Sequence, residues 1–356
     1  MCAATGVFAA IPSQDLIRNL ATDVRGIVLN GRTVPMTVSD GTQTCYLCCP
    51  TAAYIDYALD ELRHLATRPV LKTVLGGLIS AARPLLRASG LDRQVQPNNW
   101  LLATNILPDL SSAHIAETTQ GLVAQWPKHA VIWRSLNDVV HADLLARFRS
   151  CGYAVVPSRQ IYLFDARCND PVVHRDEARD RRLLARTDYS VVAPGDIRPG
   201  DFERMAWVYE KLYLDKYTWL NPRYTARFMV QAHEDGWLRF HGLRNDDGVL
   251  DGVIALFQQG DTVTAPIVGY DTALPPALGL YRRLMSIAMS HARDSRLLYN
   301  MSAGAGAFKR HRGGIPAIEY SVVYNRHLGA PARLASAGVR LILNAIGVPV
   351  LKGLEL

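Results

Sequence analysis

The feature that most restricts how this chain can fold is a block of three apolar runs at 238–244, 249–258 and 262–270. They are separated only by the turn signals Asp246-Asp247-Gly248 and Gln259-Gly260-Asp261. Long runs joined by such short turns imply an antiparallel meander. Helical patterns bracket it. Over 198–215, Phe202, Met205, Ala206, Tyr209, Leu212 and Tyr213 recur on one stripe, and a second helix is expected at 222–233, with Pro222 suited to its first position. After the meander, 279–293 turns Leu280, Leu284, Ile287 and Ala288 to one side, and strands are expected at 189–192, 297–300 and 318–324. The fold class is therefore α/β, a mixed sheet flanked by helices.

The first half repeats this rhythm less regularly. Short β-like runs at 26–29, 34–38 and 44–48 alternate with Asn30-Gly31 and Asp40-Gly41, and helices are expected at 51–65 and 70–88. A strand at 100–106, a helix at 113–125 after Ser111 and Ser112, a strand at 130–136, a helix at 142–150 and strand material at 153–164 follow. The run 170–188 alternates charges without a core pattern and reads as a connector or a solvated helix face. At 356 residues two domains are expected. The boundaries are 1–97 (meander and helices of the first half), 98–170 (its strand-helix-strand part), 171–188 (connector), 189–328 (second half) and 329–356 (amphipathic helix and tail).

Composition excludes disordered and fibrous classes, with 49% hydrophobic and 20% charged residues. No run reaches ~18 uninterrupted apolar residues, and residues 1–14 lack a basic region ahead of their apolar stretch. A cytoplasmic protein without integral membrane insertion is expected. The tail carries Leu334, Val339, Leu341, Ile342, Ala345 and Ile346 with Arg333, Arg340 and Lys352, and is expected to pack on the domain or a partner rather than a membrane. A net charge of +7 favours anionic partners: a phosphate-rich cofactor, a nucleic acid, an acidic carrier protein or a membrane surface. Of six cysteines only Cys45, Cys48 and Cys49 cluster, and no second ligand pair stands at a matching distance. Buried thiols are expected there, and no metal.

The chemistry-bearing stretch runs from Leu297 to Gly314, where an apolar strand enters the small-residue turn 303–306 and then a cationic cluster. Small residues let backbone approach a ligand closely. Between 279 and 313 stand seven cations (Arg282, Arg283, Arg293, Arg296, Lys309, Arg310 and Arg312) against one acid, Asp294. Gly279 opens a helix, whose unpaired N–H groups attract phosphate, so a phosphate-bearing donor is expected at Gly279, Tyr281, Arg282 and Arg283, with Asn300, Ser302 and Arg312 around the turn. Lys309 is the cation expected near a reacting carbonyl, since a fixed cation stabilises an oxyanion. Candidates for a general base are Glu319, on the strand after the turn, and Tyr270, at the end of the meander. His233, His241, His291 and His311 have no partner spacing. No Walker A, Gly-x-Gly-x-x-Gly after a strand, Gly-x-Ser-x-Gly or His-Glu-x-x-His occurs.

Tyr209-Glu-Lys-Leu-Tyr-Leu-Asp-Lys-Tyr217 with Asn221-Pro-Arg-Tyr224, Gly279-Leu-Tyr-Arg-Arg-Leu284, and Asn300-Met-Ser-Ala-Gly-Ala-Gly-Ala-Phe-Lys309 with Arg312-Gly313 resemble the FemAB-like/BioF2-like (CelD-type) branch of the GNAT acyltransferase superfamily. The resemblance covers about 190–328 well and 98–166 weakly. It implies tandem GNAT-like domains, the first degenerate, and transfer of an acyl or aminoacyl group to an amine. Phe308-Lys309 matches the family's pair that supplies a lysine near the reacting carbonyl. It also implies that Tyr213, Lys216, Tyr217, Trp219 and Tyr224 line the acceptor pocket. The chain departs from the common phosphate loop, because Leu274-Pro-Pro-Ala-Leu-Gly-Leu-Tyr281 keeps only Gly279.

The expected function is N-acyl transfer from acyl-CoA or an acyl carrier protein's phosphopantetheine, used as a co-substrate with no tightly bound cofactor, to the amine of a small metabolite or amino acid. An aminoacyl-tRNA-dependent transferase, with tRNA as partner, and a non-catalytic GNAT-fold binding protein are the alternatives.

Overall fold

A computed structural model of the chain describes residues 11–354 apart from 42, 65–68 and 169–171. The reading of residues 1–14 as no leader therefore falls largely outside the described residues. In chain order the elements are α1 (Ser13–Leu16), β1 (Asp23–Leu29), β2 (Arg32–Asp40), α2 (Tyr57–His64), α3 (Pro69–Ala88), β3 (Arg93–Pro97), α4 (Ser112–Gln125), β4 (Ala130–Asn137), α5 (Ala142–Ser150) and β5 (Ala154–Asp165). They continue with α6 (Arg175–Ala185), β6 (Ser190–Val192), α7 (Asp201–Glu210), α8 (Ala226–Glu234), β7 (Arg239–Arg244), β8 (Leu250–Gln259), β9 (Thr262–Tyr270), α9 (Leu280–Asp294) and β10 (Leu298–Asn300). The last are α10 (Gly306–Arg310), β11 (Ile315–Tyr324), α11 (Ala330–Ile342) and α12 (Val348–Leu354).

The chain divides into two compact units, and not at the linear boundaries expected. Unit 1 takes the described residues up to Arg159, Tyr217–Arg223, and those from Ile318 onward; unit 2 takes Gln160–Lys216 and Tyr224–Ala317. The reason is that β5 and β11 each begin in one unit and end in the other, and the loop after α7 belongs to unit 1.

In unit 1, β1 and β2 form a hairpin whose turn residues Asn30 and Gly31 both take positive φ (48° and 72°), the left-handed pair that an Asn-Gly turn supplies. β2 pairs antiparallel with β3, β3 parallel with β4, and β4 antiparallel with the later part of β11. The core on this sheet gathers Ile55, Leu86, Leu91, Ile132, Val156 and Val339. In unit 2 the later part of β5 pairs antiparallel with β10, β10 parallel with β9, and β9, β8, β7 and β6 run as the antiparallel meander read from the sequence. α9 covers this sheet through Leu280, Leu284, Ile287 and Ala288. Gly269 of β9 lies under α7 so closely that a Cβ would meet the Tyr209 backbone nitrogen at 2.6 Å.

Four local expectations are corrected. Residues 100–106 form a loop, because asparagine side chains stand in for a ladder: Asn98 Nδ2 donates to the Ile106 carbonyl and Asn105 Oδ1 accepts from the Trp100 N–H, at 3.0 and 2.9 Å. The strand precedes it at β3. Residues 44–48 hold a short 3₁₀ turn, Tyr46–Cys48. The helix expected from Pro222 starts at Ala226, where the Thr225 hydroxyl caps it by accepting from the Phe228 N–H at 3.2 Å. The connector contains α6, buried through its acids Glu177 and Asp180 rather than through an apolar stripe. Two helices, α3 and the continuous 330–353 segment, are long and apolar enough to cross a membrane by length and composition.

Candidate active site

Unit 2 assembles most of the expected residues around β9, β10 and the turn after them. β9 and β10 pair in parallel only over Thr262–Thr264 and Leu298–Asn300, while β9 continues to Tyr270. The carboxyl ends of neighbouring parallel strands are where ligands of α/β sheets commonly sit. At the parting point the Thr264 hydroxyl is fully buried and has no hydrogen-bond partner among the described residues. An aromatic group lies nearby in the same cluster: the rings of Tyr281 and Phe308 are 4.9 Å apart, and those of Tyr270 and Tyr281 6.4 Å. Burial pushes the Tyr270 hydroxyl up, which keeps it a proton donor rather than a base.

The turn itself is locked from within. Ser302, Gly304 and Ala305 have φ of 60°, 76° and 51°, the left-handed region that disfavours side chains. Asn300 Oδ1 accepts from the Ser302 N–H at 2.9 Å, and Lys309 Nζ donates to the Ala303 and Ser302 carbonyls at 2.7 and 3.1 Å. Lys309 is buried and sits 5.7 Å over the Tyr162 ring. The geometry thus makes it a clamp on the strained turn. A cation whose donors are held by two carbonyls has less to offer a reacting oxygen.

The expected phosphate cradle is covered. Gly279 takes φ 62°, and a Cβ there would meet Leu183 of α6 at 2.9 Å. Arg283 is buried, donating to the Leu183 and Leu278 carbonyls at 2.7 and 2.9 Å. Asp180 of α6 accepts from both Arg282 and Arg312 at 2.6 Å, and Glu177 pairs with Arg293. The unopposed cationic patch counted along 279–313 is corrected, because its counter-charges come from the segment taken for a connector. Arg312 also lies 3.4 Å over the Phe308 ring.

The five expected acceptor residues are shared out. Tyr213, stacked on Tyr209 at 4.9 Å, and Tyr224, buried and stacked on Phe228 at 4.4 Å, belong to the aromatic core of unit 2, as does the exposed Lys216 to its surface. Tyr217 and Trp219 are exposed on the loop that joins unit 1. Hydrogen bonds within unit 1 hold that loop: Asn19 Nδ2 donates to the Trp219 and Asn221 carbonyls at 3.1 and 2.8 Å, and the Thr218 hydroxyl donates to Asp60 at 2.6 Å.

Unit 1 also holds a cluster of which the sequence marks only Glu319. Arg159 of β5 pairs with Glu319 of β11 through Nε and Nη2, at 2.8 and 3.2 Å, and Nη2 also donates to the Ala103 carbonyl and the Thr104 hydroxyl at 2.7 and 2.9 Å. Arg134 donates to the Leu47 and Ala103 carbonyls at 3.0 and 3.3 Å. Tyr46 and Tyr57 meet edge to face at 5.1 Å. Burial pushes the Tyr46 and Tyr54 hydroxyls up, with Arg159 and Arg134 opposing at Tyr46 and the Ser321 and Ser158 hydroxyls at Tyr54.

Burial also pushes the Glu61 carboxyl up to about 7, with the Arg159 charge opposing. Tyr57 and Glu61 are one turn apart on α2, which follows the π-helical turn Ala52–Asp56. A carboxyl raised toward neutrality can take a proton from a bound ammonium group. The signal for it in sequence was only the Tyr-x-x-x-Glu spacing, which many solvated helices share.

Burial raises Cys45, and Cys49 to about 11, so these thiols stay protonated. Among the described residues no group of His, Cys, Asp and Glu is arranged to hold a metal. A cleft of about 610 Å³ in unit 1, with Asp40, Arg87, Arg93, Lys128 and His327 in its wall, contains none of the expected site residues.

No family model and no curated protein matches the chain. Among solved structures it is similar to the C-terminal domain of a putative lysylphosphatidylglycerol synthetase from Agrobacterium fabrum, at 16% identity and TM-score 0.46, covering 65% of this chain and 78% of that one. It is similar to FemX at 10% identity and TM-score 0.47, covering 61% and 78%. A third is a GCN5-related N-acetyltransferase from Kribbella flavida, at 11% identity and TM-score 0.35, covering 67% and 84%. At such identity these are resemblances of a mixed α/β fold, and the chemistry has to be read from this chain's own residues.

Proposed function

We propose that the chain is an acyltransferase that joins an activated carboxyl group to an amine. The observation that carries the reading is Glu61, a half-buried carboxyl one helical turn from Tyr57 that burial pushes up to about 7 against the opposing charge of Arg159. An amine acceptor arrives as an ammonium ion and must lose a proton before its nitrogen can attack. Glu61 takes that proton, the nitrogen bonds to the acyl carbon, the bond from that carbon to the donor's sulfur or oxygen breaks, and the leaving atom takes the second proton that the nitrogen sheds. Exposed Tyr217 suits recognition of a cationic acceptor, whereas Trp219 already carries Arg223 over its ring at 5.2 Å and Asp60 already pairs with Arg63 at 2.7 Å.

Unit 2, taken by itself, has an aromatic group of Tyr270, Tyr281 and Phe308 that suits a narrow arm such as phosphopantetheine. The pairing of Arg282, Arg293 and Arg312 with carboxylates argues for a thioester of coenzyme A or a carrier protein over the extended polyanion of tRNA.

The test is to incubate the protein with acyl-CoA thioesters, a loaded carrier protein and charged tRNA, each with mixed amines, and to search for the amide mass. Amide from a thioester that survives RNase is expected. Consumption of charged tRNA alone, abolished by RNase and by moderate salt, would favour the tRNA-dependent reading. If no donor is consumed, the enzyme reading fails and a binding role remains.

A further inference from the structure

Unit 1 carries an apolar surface that its own core does not use. α3 and α11 each bury one side: Leu75 and Leu86 on the first, Ala335, Ser336 and Val339 on the second. The two helices meet closely, since a Cβ on Gly338 would lie 3.1 Å from Leu85. Their outward sides are as apolar as the inward ones. Val70 is 76% exposed, Leu334 73% and Leu341 70%, and Val74, Leu78 and Ile346 are exposed as well. On α3 these fall at helical spacing, 70, 74 and 78. On α11 and the π-helical turn Leu343–Gly347 that extends it, 334, 341 and 345 share one line.

The charge that these two segments themselves carry has one sign, although Asp40 and Asp92 share a cleft wall with Arg87. Segments 69–88 and 330–354 contain Lys72, Arg83, Arg87, Arg333, Arg340 and Lys352, and neither contains an Asp or Glu. Arg83 is paired with Asp56 from outside the segment, while Arg87, Arg333, Arg340 and Lys352 are exposed. A protein partner of ordinary composition would explain exposed leucines. It would not explain two neighbouring segments without a single acid.

We propose that the outward side of α3 and of the 330–353 helix docks on an anionic bilayer surface, lying in the headgroup region with its apolar residues inserted and its cations facing lipid phosphates. Apolar side chains with flanking Lys and Arg have this interfacial behaviour, and anionic lipid adds attraction for each cation. The helices lie on the membrane and do not cross it, because both are tied into the unit 1 core through Leu86 and Val339. The expectation that the tail packs against the domain is half met: its inner side does so, and its outer side is left for lipid.

The test is vesicle flotation of the full chain with phosphatidylcholine alone and with phosphatidylcholine containing about one third phosphatidylglycerol. Binding to the mixed vesicles, falling with salt, is expected. The double variant Leu334→Glu/Leu341→Glu should weaken it roughly tenfold or more with an unchanged circular dichroism spectrum. Arg333→Glu/Arg340→Glu, which leaves the apolar residues in place, should weaken binding to anionic vesicles specifically. No binding to anionic vesicles by the folded wild type overturns the proposal, as does binding that neither variant changes. So does a dimer in light scattering that Leu334→Glu/Leu341→Glu dissociates while vesicles stay unbound, because the occupant is then a second copy.

Discussion

Arg159 grips Glu319 at two points, 2.8 and 3.2 Å, and uses the same guanidinium to hold the Ala103 carbonyl and the Thr104 hydroxyl. The Glu319 side chain is 3% exposed, and Arg159 is the charged partner that faces it. Glu319, a candidate base by its place in the sequence, is held here in an ion pair with Arg159.

Removing one member of such a pair leaves a charge in a poor solvent. Glu319→Gln is expected to destabilise the protein by ~3–5 kcal/mol, whereas replacing both residues with apolar ones of similar volume costs much less. Chemical denaturation of the single and double variants measures this. Equal losses for Glu319→Gln and for the double replacement would show that the pair is not the source.

Glu61 makes stability depend on pH with a definite sign. Its folded value is raised from 4.5 to about 7, so the folded state holds the proton more tightly than the unfolded chain. That contribution is complete below the unfolded value and is lost as pH rises through about 7. Relative to Glu61→Gln, the wild type should lose stability between pH 4 and pH 8, with a ceiling of about 3 kcal/mol. Parallel stability curves for the two proteins across that range would contradict the shift.

Lys309 distinguishes a clamp from a catalyst. Lys309→Met frees the Ser302 and Ala303 carbonyls and loosens the left-handed turn, costing about 1–3 kcal/mol. A melting temperature that falls together with a rise in the KM for donor is expected. A large loss in kcat with unchanged melting temperature and KM would return Lys309 to the role of reacting-site cation.

Asp180 is the counter-charge of two arginines, and their exposures differ: the Arg312 side chain is 6% exposed and that of Arg282 43%. Asp180→Asn should cost several kcal/mol, of order 3–5, because it strands Arg312, while Arg282→Ala should cost under about 1. The same Asp180→Asn variant should bind inorganic polyphosphate more tightly than wild type. Calorimetric titration checks the second part, and unchanged affinity would mean that α6 does not mask a phosphate site.

The unit 2 meander was legible because its turns are short and its strands long, leaving one way to pair them. The α9 stripe was legible for a similar reason, since its apolar residues repeat at helical spacing. The loop at 100–106 was not, since asparagines imitate a strand ladder only after the chain has folded back. α6 escaped because its buried face is made of Glu177 and Asp180, and carboxylates at helical spacing look solvated until their arginines are known. The unit 1 cluster was hidden by distance along the chain. Glu61, Arg159 and Glu319 come from three elements, and nothing local to α2 marks Glu61 as different from Asp60. The aromatic loop could be read from its own composition, but its attachment to unit 1 runs through Asn19 and Asp60, far upstream.

The most direct test of the proposed chemistry is the pH dependence of kcat/KM for amide formation, with the thioester donor that the protein consumes, in wild type and Glu61→Gln. The expected wild-type profile rises through an apparent pKa near 7, and Glu61→Gln lowers the plateau by ~10²–10⁴-fold and removes that limb. A profile with the same limb and the same plateau in both proteins would contradict Glu61 as the proton acceptor.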